Sequence, residues 1–107
     1  MREIIDNDLS LLTDKTCYIL FYFTAKWCKP CQSIKPLLQK ISDGSDSRNL
    51  ELYLVDIDEN DKLAEEFKIK SVPSFFMFHK NKLKDKCSGS DIKKVQKLIK
   101  NTMNNST

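Results

Sequence analysis

The sequence predicts an α/β protein, with a central mixed sheet of five strands flanked by four helices in three layers. Three observations support this. Apolar, strand-like runs alternate with segments of helical periodicity, which implies a mainly parallel sheet with helices on both faces. The run Cys17-Tyr18-Ile19-Leu20-Phe21-Tyr22-Phe23 is apolar without alternation, as suits a strand covered on both sides and central in the sheet. Near the end, Phe75-Phe76-Met77-Phe78 is followed by a turn at Lys80-Asn81-Lys82 and a last strand reaching Cys87, a hairpin that adds an antiparallel edge.

In chain order, Arg2 to Ile5 reads as a short strand, and Asp6 or Asn7 caps a brief helix through Leu9, Leu11 and Leu12. After the central strand, Ile34, Leu37, Leu38 and Ile41 recur on one face of a helix that starts at or near Cys28, with Pro36 inside it predicting a kink. Asp43 to Asn49 is a polar loop, and Leu50 to Ile57 is a second apolar strand. Asp58-Glu59-Asn60-Asp61 offers caps and negative charge for a helix through Leu63, Ala64 and Phe67, with Asp58 expected as a cap. Ser90 is expected to cap a final amphipathic helix with Ile92, Val95, Leu98 and Ile99 on one face, its Lys93, Lys97 and Lys100 turned to solvent. Residues 101–107 are expected to fray.

At 107 residues the chain accommodates one domain, taken as 1–107, and Gly 2 with Pro 3 leaves little room for linkers. Its net charge of +3 rests on lysine, since Arg2 and Arg48 are the only arginines. Lysine excess without bidentate arginines or stacked aromatics argues against nucleic acid as a partner. Charges interrupt the N-terminus too early for a secretory signal, and the run from Tyr18 to Phe23 falls far short of the roughly 20 residues that cross a bilayer. No membrane association and a cytoplasmic, reducing compartment are therefore expected, and there a C-x-x-C serves catalysis or metal binding rather than a permanent staple.

That motif is Trp27-Cys28-Lys29-Pro30-Cys31, at a strand-to-helix junction. By spacing alone it can ligate zinc, close a disulfide or cycle between dithiol and disulfide. Zinc lacks two further ligands within reach, because Cys17 begins the central strand roughly 23 Å from the pair. In the first turn of a helix, Cys28 gains the positive end of the dipole and free N–H groups that stabilise a thiolate, with Lys26 and Lys29 adding charge nearby. Cys31, one turn further in, is placed to attack a mixed disulfide from within the molecule.

Over essentially its whole length the chain resembles the thioredoxin family. The resemblance rests on Trp27, Cys28, Pro30 and Cys31, on Pro36, on the run Val55 to Asn60, on Val72-Pro73-Ser74, and on Gly89 before the last helix. It implies the thioredoxin fold and a reductase of protein disulfides in which Cys28 is the nucleophile and Cys31 the resolver. It implies no bound cofactor, disulfide-containing protein substrates, an electron donor of the thioredoxin reductase type, and a monomer. It further implies that Trp27 shields one side of the site and Pro30 restrains the loop between the thiols. Pro73 is then a cis proline facing the dithiol, and Val72 pairs through its backbone with an extended substrate segment. A protein biased towards oxidation or isomerisation, or a binding module that keeps the fold without the activity, are the alternatives. A glutaredoxin is disfavoured, because no glycine pair follows the Pro73 strand.

Two positions depart from the family pattern. Lys29 stands between the cysteines where glycine is usual. Tyr22, six residues before Cys28, stands where many members carry a buried aspartate, and Leu54 replaces the lysine that accompanies it. A phenol is a poor base at neutral pH, so the expectation is slower substrate release, or water or Asp56 as proton acceptor for Cys31. Cys17 is expected to be a buried thiol, Cys87 a half-exposed one near the Pro73 loop, and His79 remote from the dithiol.

Overall fold

The structure, a computed structural model, describes residues 1–104. Its elements follow as β1 (Arg2–Glu3), a 3-10 turn (Ser10–Leu12), β2 (Tyr18–Thr24), α1 (Lys29–Gly44), β3 (Leu50–Asp56), α2 (Asp61–Glu66), β4 (Ser74–His79), β5 (Lys82–Ser88) and α3 (Ile92–Asn104). The five strands form one sheet in the order β1-β3-β2-β4-β5. β2 lies in the middle, and all seven of its residues are buried, as its unbroken apolar run requires.

β1, β3 and β2 are parallel, but β4 runs antiparallel to β2, with Tyr22 opposite Phe75. The antiparallel part therefore extends to β4 rather than being confined to the hairpin. Both faces of β4 are covered as in a parallel strand, so its sequence pattern carried no sign of direction.

Alternate residues of β2 supply two cores. Tyr18, Leu20 and Tyr22 pack with Ile34 and Leu38 of α1 and Val95 and Leu98 of α3. Ile19, Phe21 and Phe23 pack with Leu12 and Leu63, and Phe67 meets Phe76 edge to face at 5.4 Å. Burying each such side chain is worth about 1.5–3 kcal/mol, which fixes the strand order and with it the end of β2 from which α1 departs.

Local caps differ from those expected. The brief first helix is a single 3-10 turn, giving three α-helices rather than four among the described residues. Asp6 and Asn7 adopt positive φ (52° and 59°), and the first N–H of the turn, that of Ser10, is accepted by Asp8 Oδ1 at 2.9 Å rather than by either of them. Asn7 instead reaches across to α2: its Oδ1 accepts the Leu63 N–H at 3.0 Å, while its own N–H donates to Asn60 Oδ1 at 2.7 Å. Asn60, fully buried, donates onward to the carbonyls of Ile4 and Asp56. Among the described residues Asp58 accepts no helix N–H, and its Oδ2 is bound to Trp27. The N-terminus of α3 is held by Asp91 rather than Ser90, with Oδ1 accepting the Lys93 N–H at 2.9 Å. That helix continues to Asn104 because Met103, four residues after Ile99, extends its apolar face onto the core. Of the expected frayed tail, 101–104 are thus helical, and 105–107 lie outside the described residues.

Candidate active site

β2 ends at Thr24, and the next residues form a loop fixed by its own backbone. The Ala25 carbonyl accepts the Cys28 N–H at 3.2 Å and the Gln32 side-chain N–H at 2.9 Å. Cys28 is then the N-cap of α1, with Pro30 in the first turn, where a missing N–H costs nothing. The Cys28 sulfur fills the role a serine oxygen has at other caps: Sγ accepts the Cys31 N–H at 3.2 Å. The two cysteines are joined as a disulfide across a Cα–Cα distance of 5.3 Å. Cys28 retains 6% exposure and Cys31 none, the order expected for an outer and an inner sulfur.

Three loops surround the pair. Trp27 is 67% exposed, so it is no core aromatic, and its indole Nε1 donates to Asp58 Oδ2 at 2.9 Å. Beside it Lys26 Nζ meets Glu59 Oε1 at 3.2 Å, so two successive residues tie this loop to the one after β3. Lys29 and Pro30 face solvent. On the other side the Val72–Pro73 peptide is cis, with the Val72 carbonyl oxygen 3.7 Å from Cys28 Sγ. The Ser74 hydroxyl steadies this loop by donating to the Ser71 carbonyl at 2.6 Å. Gly89, at φ 100°, donates its N–H to the Pro73 carbonyl at 3.0 Å, a backbone geometry that favours glycine.

Beneath the pair lies Tyr22, fully buried and stacked on Phe75 with centroids 5.5 Å apart. Its hydroxyl donates to the Cys31 carbonyl at 2.5 Å, and burial pushes its phenol above the ordinary range. Leu54 is its register neighbour on β3, so the two departures from the family pattern stand side by side. Asp56 is buried too, with Oδ1 accepting the Asp58 N–H at 2.8 Å.

All seven residues singled out from the sequence, Trp27, Cys28, Lys29, Pro30, Cys31, Val72 and Pro73, thus lie on or beside the dithiol. Asp58 was assigned to a helix cap and is instead the partner of Trp27. Gln32 and Gly89 complete the frame. Of the remaining thiols, Cys17 is buried just before β2, while Cys87 is half-buried opposite Phe75 on β5, beside the Pro73 loop as expected. Burial raises both thiol pKa values. His79 stacks on Tyr18 at the far end of β4. Among the described residues, no group of three or more His, Cys, Asp or Glu is placed to hold a metal, and no helix is long and apolar enough to cross a membrane.

A dithiol at the N-terminus of a helix leaving the central strand, faced by a cis-proline loop, defines a thiol–disulfide oxidoreductase whose redox group is the cysteine pair itself. The family model described as Thioredoxin matches residues 7–104. A thioredoxin of Malassezia sympodialis is 36% identical over 81 residues, covering 76% of this chain and 77% of that one. A thioredoxin of Coprinus comatus is 28% identical over 105 residues, 96% of this chain and 99% of that one. The crystal structure of the Malassezia sympodialis thioredoxin superimposes with a TM-score of 0.86 at 31% identity, over 95% of this chain and 92% of that one. The Fasciola hepatica thioredoxin structure gives 0.86 at 28%, over 95% and 99%. The chain belongs to the thioredoxin family, and its activity is that of a protein-disulfide reductase.

Proposed function

We propose that Cys28 is the attacking thiol and Cys31 the resolving one. The observation that carries this is the Cys31 N–H directed at Cys28 Sγ, with Cys31 wholly buried behind it. In the reduced protein that N–H and the helix dipole stabilise a thiolate at Cys28. The thiolate attacks one sulfur of a substrate disulfide, forming a mixed disulfide and expelling the other sulfur as a thiolate. Cys31, as thiolate, then attacks Cys28 Sγ. The Cys28–Cys31 disulfide forms, the second substrate thiolate leaves, and two electrons have passed to the substrate.

Val72 and Pro73 hold the substrate in this reading. The Val72 N–H has no partner among the described residues, and its carbonyl lies beside the attacking sulfur, which suits pairing with an extended segment. Trp27 shields the site from the opposite side, Pro30 restrains the loop, and Lys29 adds positive charge. The chain acts as a single-domain monomer over 1–107, in a cytoplasmic compartment, on protein disulfides. A reductase of the thioredoxin reductase type returns its electrons.

The test is reduction of insulin disulfides by the wild type, Cys28→Ser and Cys31→Ser. Cys28→Ser abolishes turnover, while Cys31→Ser accumulates a mixed disulfide with substrate that can be isolated without reductant. Turnover that survives Cys28→Ser, or a trapped adduct on Cys31 in place of Cys28, overturns the assignment.

A further inference from the structure

Beside the Val72–Pro73 loop lies a groove of about 530 Å³, floored by Phe67, Ile69 and Phe76 and edged by Lys68, Lys70 and Lys86. It opens at Ser71 and Ser74, the residues that flank Val72 and Pro73, so a segment paired with Val72 is led directly into it. Among the described residues no carboxylate lines it. Glu66 lines the adjoining hollow, which shares Lys68 and Lys86 with the groove and reaches the half-exposed Leu83. Among the described residues none of the three lysines makes an ion pair, whereas Lys26 on the opposite side of the dithiol is bound to Glu59.

Two of these lysines are placed in ways that keep the charge at the rim. Lys86 lies over the Phe76 ring, its Nζ 5.7 Å from the centroid, so its stem covers the floor while its ammonium stays outside. Lys68 occupies the left-handed position that ends α2, at φ 54°, where glycine is the usual residue. Its N–H donates to Glu65 and that of Ile69 to Ala64, so the conformation is held by the helix end.

We infer that this groove recognises an acidic segment flanking the substrate disulfide, with apolar side chains on the aromatic floor and carboxylates among Lys68, Lys70 and Lys86. Unpaired lysines in a groove without carboxylates supply the charge complementarity, and continuity with the Val72 loop supplies the register. The inference rests on the reading that Val72 pairs with the substrate.

Two disulfide-closed peptides, identical except for three glutamates or three glutamines beside one cysteine, test it. The wild type reduces the glutamate peptide roughly three- to tenfold faster at low ionic strength, and high salt removes the preference. In Lys68→Gln/Lys70→Gln/Lys86→Gln the preference disappears, the rate on the glutamate peptide falling to that on the glutamine peptide. Equal non-zero rates on the two peptides in the wild type, or a preference that survives the triple substitution, overturn the inference. A cysteine-free version of the glutamate peptide, titrated into isotope-labelled oxidised protein, separates the groove from the chemistry. Amide shifts at 67–71 and 86–88 support the groove even where neither disulfide peptide is reduced, an outcome that overturns only the catalytic assignment. Shifts confined elsewhere overturn the groove.

Discussion

The hydroxyl of Tyr22 donates to the Cys31 carbonyl oxygen at 2.5 Å from a side chain with no exposure to solvent. A carboxylate at this position is an acceptor, whereas the phenol is a donor already committed to backbone. Because burial raises its pKa, it stays neutral and takes no proton from Cys31 near neutral pH. Tyr22→Phe keeps the ring and loses about 1 kcal/mol of stability, read from the urea midpoint, with the pH profile of turnover unchanged. Tyr22→Asp loses more, roughly 2–5 kcal/mol, but gives the site a base. In single-turnover experiments it releases substrate faster from the Cys28 mixed disulfide, with an added ionisation in the profile. Release at the wild-type rate would show that proton transfer from Cys31 does not limit this step.

Asp58 holds the exposed Trp27 indole through one hydrogen bond of 2.9 Å. On the proposed shielding role of Trp27, Asp58→Ala frees the ring to sample orientations that leave the dithiol uncovered. Loss of one such bond predicts a fall of roughly two- to tenfold in kcat/KM for protein substrates. Trp27 is the sole tryptophan, so its emission reports the change directly. Asp58→Asn keeps an acceptor oxygen and restores most of both. Emission and kcat/KM both unaltered in Asp58→Ala would remove any role for the bond.

At the far end of the sheet, Glu51 accepts Lys15 Nζ at 2.9 Å and also the Tyr53 hydroxyl. Burial opposes its charge, but the hydrogen bonds from Tyr53 and Lys15 and the Lys15 ammonium outweigh that, so its carboxyl ionises below the usual range. A folded pKa lower than the unfolded one stabilises the protein above the unfolded value of about 4.3, and the contribution is lost as pH falls through the folded value. Glu51→Gln is therefore less stable than wild type by about 1 kcal/mol at neutral pH. The difference closes as the solution is acidified below about pH 4. Urea midpoints that stay parallel across this range would place the ion pair outside the stability balance.

What the sequence disclosed and what it withheld follow from the range of the interactions. β2 and β3 were legible because a strand covered on both faces must be apolar throughout, and Cys28 because the helical period begins beside it. Asn7 was not legible as the cap of α2. Its partner Leu63 is 56 residues away, and only the folded sheet brings the two loops together. Asp58 was misassigned for the same reason: an acid before a helix reads locally as a cap, while its indole partner lies 31 residues upstream. The loss of the usual buried carboxylate was visible at Tyr22. The β2–β3 register agrees with the pairing of Leu54 to it, and only the side-chain geometry showed what the phenol does instead.

Lys29 stands at the first position of α1, exposed and without an ion pair among the described residues, next in sequence to Cys28, the proposed attacking thiol. Its charge acts on the reduced form, where Cys28 carries a thiolate, and has little to act on in the neutral disulfide. It therefore favours the reduced pair and raises the reduction potential. An exposed charge of this kind is worth about 0.2–1 kcal/mol, and about 30 mV corresponds to 1.4 kcal/mol for a two-electron couple, so the effect is roughly 4–20 mV. Lys29→Gly lowers the potential by that amount when both proteins are equilibrated against the same glutathione buffers, and added salt narrows the gap. A potential that rises on substitution would reverse the sign and leave the loop's conformation, rather than the ammonium, in control of the couple.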